Sequence, residues 1–213
     1  MEVLERISLN SDWITILLVT LIAMVFFLKL LNAKKLESYA LSMFQRRFIL
    51  KEMEEEISFL DSFQVITSLF STLVFSLLIY YLSLSFSLNF VSGPISFSFI
   101  FLGVLGYFVI KRGLEFLMSL LFEIKPIIGF FLMSKLSYLY SVSFFLLFAL
   151  FLFEYSRVNI GFLLCFSGAL FFLRSVLIFV NNKKLIFSKL FYFILYICSF
   201  EIAPLFILFK LMF

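Results

Sequence analysis

Six stretches of this chain are apolar over lengths that match the hydrocarbon core of a bilayer: 13–31, 63–82, 96–110 or longer, 137–153, 160–180 and 187–209. A core about 30 Å thick is crossed by about 20 helical residues. Backbone amides cannot be left bare in lipid, so a spanning segment is either a helix or a strand of a closed barrel. These uninterrupted runs lack the alternation and short length of barrel strands, which leaves helices. The expected fold is all-α: a polytopic helical membrane protein with about six transmembrane helices, forming a single integral-membrane domain over residues 1–213. A chain that is 64% hydrophobic and 14% charged has too little polar surface to cover a soluble domain of this length.

The lysines and arginines orient the chain. Lys34, Lys35, Arg46, Arg47 and Lys51 fall between the first two runs, Lys111, Arg112, Lys125 and Lys135 between the third and fourth, and Lys183, Lys184 and Lys189 between the fifth and sixth. The other side carries only Arg6, Arg157 and Lys210, and twelve against three is a strong positive-inside bias. Both termini are therefore expected in the periplasm. Lys29, Lys34 and Lys35 flank the exit of the first run, and no basic region with a small-residue cleavage site precedes it, so that run is expected to be retained as a helix.

Between the first two runs, segment 32–61 sets Leu36, Ala40, Met43, Leu50, Met53, Ile57 and Leu60 at roughly helical spacing. Its first half is basic, with Arg46 and Arg47, and its second half holds Glu52, Glu54, Glu55 and Glu56. The pattern predicts one or two amphipathic cytoplasmic helices. They serve either as a solvated connector whose basic half touches anionic lipid or as a docking site for a protein partner.

Arg112, Glu115, Ser119 and Glu123 form one helical stripe ending before Pro126, which suggests that the third helix runs on past the membrane or that a short helix lies on its surface. Ser83, Ser85, Ser87 and Asn89 alternate with Leu84, Phe86, Leu88 and Phe90 ahead of a Ser92-Gly93-Pro94 turn, which fits a loop or, less simply, a short extended edge.

The chain has no histidine, so the commonest general base and neutral metal ligand are missing. No phosphate-binding glycine loop, paired acid–base carboxylates, zinc-ligand cluster or nucleophile elbow is visible, and the chain is read as non-enzymatic, without cofactor or metal. Nothing points to nucleic acid.

Intramembrane ionisable residues are the remaining place to look. Glu201 lies about 20 Å from the cytoplasmic start of the last run. Pro204 follows three residues later and frees the Phe200 carbonyl. Cys198, Glu201 and Pro204 share a broad face that would either bind a proton or cation or hold a protonated glutamate hydrogen-bonded within the bundle. Arg174 is close enough to its helix end to snorkel toward the cytoplasmic surface, with a pair to Glu201 as the alternative. Ser68, Thr72 and Ser76 on the second run, and Gly161, Cys165 and Gly168 on the fifth, are expected to be helix-packing faces. Cys165 and Cys198 are expected to be inert buried thiols.

The C-terminal run Leu195-Tyr196-Ile197-Cys198-Ser199-Phe200-Glu201-Ile202-Ala203-Pro204-Leu205, closing at Lys210, resembles the ending of an uncharacterised family of multi-pass inner-membrane proteins from Bacteroidota. Ser11-Asp12-Trp13 is similar to that family's opening. The resemblance places Tyr196, Cys198, Glu201, Pro204 and Lys210 on motif positions and implies a bacterial inner-membrane protein, but no reaction. The partners it implies are membrane lipids and other inner-membrane proteins. Two functions remain in view: a subunit or assembly factor of an envelope machine such as type 9 secretion or gliding, and a small-ion or solute carrier built on Glu201.

Overall fold

The computed structural model describes residues 12–43, 62–85, 93–121, 125–156 and 159–181, with 114–132 as backbone only. Five helices fill these stretches: α1 Asp12–Ala40, α2 Ser62–Ser85, α3 Pro94–Leu121, α4 Lys125–Tyr155 and α5 Ile160–Asn181. Each carries a segment long and apolar enough to cross a membrane, and no strand occurs among the described residues. The sixth expected span, 187–209, lies outside them.

Local chemistry explains where the helices start. Asp12 places a carboxylate in the first turn of α1, where the helix dipole favours negative charge. At α3, the Gly93 carbonyl accepts the first helical bond from the Phe97 N–H at 3.3 Å, and Pro94 takes the first position, where a missing N–H costs nothing. Pro126 occupies the first turn of α4 for the same reason. At α5 the Asn159 carbonyl accepts from the Phe162 N–H at 2.9 Å.

The helices alternate in direction. Trp13 at the start of α1 meets Tyr80 at the end of α2 (5.2 Å between ring centroids) and Phe97 at the start of α3 (5.4 Å). Tyr81 meets Phe153 at the end of α4 (5.0 Å). At the opposite end, Phe63 stacks on Tyr39 at 5.7 Å, and Asn181 donates to the Tyr138 hydroxyl at 2.7 Å.

Helices α2 and α4 form the centre, with α1 touching both, α3 lying on α2 and α5 on α4. Phe70 stacks on Phe144 at 4.9 Å across the central pair. Phe75 reaches Phe108 of α3 and Phe171 of α5. The α2 hydroxyls at Thr67, Thr72 and Ser76 are buried and each bonds back to the carbonyl four residues earlier, so small polar side chains pack closely without leaving unsatisfied groups. The expected Ser68–Thr72–Ser76 face is thus largely interior.

The described helices bear on several expectations in detail. Helix α3 runs unbroken for 28 residues and α4 for 31, about 42 and 46 Å, so the third helix does continue past a 30 Å core and only 122–124 separate the two. Ser83 and Ser85 belong to α2, and the Ser83 hydroxyl bonds the Tyr80 carbonyl at 2.8 Å, so an extended edge cannot begin there. On α5, Gly161, Cys165 and Gly168 are exposed, while Leu163 and Ser167 face inward. Cys165 is an exposed free thiol rather than a buried one.

Candidate functional site

The charged end of the bundle begins with a break in α1. Asn32 leaves the helix with an extended backbone (φ −160°, ψ 95°), and its side-chain oxygen accepts from the Lys35 N–H at 3.0 Å. This is an N-cap: Asn32 ends the spanning helix and starts a second short one. The new direction folds 33–43 back onto the bundle instead of out into solvent. The Ser42 hydroxyl donates to the Ser137 carbonyl at 2.9 Å, and the Ser141 hydroxyl donates to the Ala40 carbonyl at 2.6 Å.

Tyr39, Leu28, Phe63 and Tyr140 close into a second apolar cluster, with Leu36 packed against it. Met43 enters the main core, and Lys35 lies over the Phe63 ring at 5.6 Å. On either side of 44–61, Met43 and Phe63 are both buried. The first part of the expected amphipathic connector is a packed element; Arg46, Arg47, Glu52, Glu54, Glu55 and Glu56 lie outside the described residues.

Beside this anchor, Lys111 and Arg112 of α3, Lys135 of α4 and Arg174 of α5 line one recess with Phe108, Leu136 and Leu139. Arg112 donates to the Tyr140 hydroxyl. Lys111 donates to the Tyr107 hydroxyl at 3.1 Å. Arg174 reaches the Lys135 carbonyl at 3.5 Å, so its guanidinium lies against α4 between helices. Lys135 is only 3% exposed.

Sequence reasoning counted Lys111, Arg112 and Lys135 as orienting charges, and set Arg112 on a stripe with Glu115, Ser119 and Glu123, but did not foresee their convergence. The available signal was Lys135, set ten residues into α4 behind the apolar run Phe130-Phe131-Leu132-Met133. A lysine placed inside an apolar helix needs a polar surrounding from other helices.

At the opposite end the Tyr81 hydroxyl donates to the Glu154 carboxylate at 2.5 Å, linking the ends of α2 and α4 beneath the Trp13–Tyr80–Phe97 aromatic group. Among the described residues, the Tyr81–Glu154 pair thus lies at one end of the bundle, and Lys111, Arg112, Lys135 and Arg174 converge toward the other. Tyr196, Cys198, Glu201, Pro204 and Lys210 lie outside the described residues, as does any contact of Arg174 with Glu201.

The helices and the charge distribution define a multi-helix protein suited to a membrane, with one basic end. The chain belongs to the family described as Domain of unknown function (DUF4271), whose family model matches residues 14–212. No curated protein and no solved structure matches the chain.

Proposed function

We propose that this protein is a non-enzymatic subunit or assembly factor of a multi-protein complex in a bacterial inner membrane, with its basic end in the cytoplasm and segment 44–61 as the docking element. The anchoring of that segment carries the reading. A solvated connector needs no fixed ends, whereas here Met43 and Phe63 are both buried and the Ser42 and Ser141 hydroxyls tie the entering strand of chain to α4. Fixing both ends lowers the entropy that 44–61 must lose on binding, which favours a partner surface. Glu52, Glu54, Glu55 and Glu56 give that element a concentrated negative charge suited to a basic partner. The excess of Lys and Arg at this end supports its cytoplasmic placement. The resemblance to a Bacteroidota family makes that phylum's type 9 secretion or gliding apparatus the complex to examine first.

The test is co-purification after extraction in mild detergent, comparing the wild-type chain with a variant carrying Glu52→Gln, Glu54→Gln, Glu55→Gln and Glu56→Gln. A defined set of membrane proteins should accompany the wild type. In low salt their retention by the variant should fall about fivefold, on the order of one charge-pair interaction. A protein recovered alone at every expression level, or equal retention by both forms, contradicts the reading.

A further inference from the structure

We draw no further inference here: the strongest candidate, the exposed face of α5 that runs through Gly161, Cys165, Gly168 and Phe172, is an apolar stripe of mostly small residues, and nothing in the structure shows what covers it.

Discussion

At the contact between α2 and α4, two hydroxyls have more acceptors than protons. Ser71 and Ser143 lie 2.9 Å apart, while Ser71 also reaches the Thr67 carbonyl at 3.0 Å and Ser143 the Tyr140 carbonyl at 2.7 Å. Two protons serve three contacts, so removing one hydroxyl leaves the other a partner. Ser71→Ala should therefore lower stability in detergent by less than about 1 kcal/mol. Ser71→Leu should cost about 1–3 kcal/mol, because the two helices approach closely through small residues at this point. Equal melting temperatures for the two variants would show that the contact is not tightly packed. At Glu201 the proposed subunit role predicts that Glu201→Gln, which keeps most of the shape and hydrogen bonding of a protonated glutamate, preserves assembly. Glu201→Ala should destabilise by about 1–3 kcal/mol by leaving partner groups unpaired. A Gln variant that assembles normally but loses an ion-dependent phenotype or flux would favour a carrier instead.

Among the elements, the short helix after Asn32 has the most direct consequence for docking. Asn32→Ala removes the cap and should weaken 33–43 by about 1 kcal/mol, read as faster proteolysis within 44–61 and faster hydrogen exchange at Ser42, with the spanning helices unchanged. Unaltered protection would mean that the Ser42 and Ser141 contacts hold this element without the cap. Its amphipathic spacing was legible in the sequence, and Leu36 and Met43 do turn inward. Its attachment was not, because it depends on Tyr39 meeting Phe63 and Tyr140, residues far away in the chain. The apolar runs themselves predicted α1, α2 and α5 closely, since length and hydropathy are local properties. Which face of α5 points inward was misread for a physical reason. Lipid is as apolar as the bundle interior, so hydrophobicity does not separate the two faces. The inward stripe through Leu163, Ser167, Leu170 and Arg174 is distinguished by what it meets on α4, whereas the small residues Gly161, Cys165 and Gly168 lie on the other side. The cationic recess was hidden similarly: each charge was visible, but their meeting depends on how α3, α4 and α5 pack.

For the whole molecule, five helices of alternating direction, each with a segment long and apolar enough to cross a membrane, and a cluster of cations at one end are consistent with a bilayer between the ends. Helices α3 and α4 are longer than the hydrocarbon core, and they would project their connection beyond the membrane on the basic side. Reporter fusions along the chain measure that arrangement directly. Fusions near Gly93, near Asn159 and at both ends of the chain should report the periplasm, and fusions near Gln45, Lys125 and Asn182 the cytoplasm. A cytoplasmic signal at both Gly93 and the C-terminal end would contradict the six-span arrangement and the placement of the docking segment that depends on it.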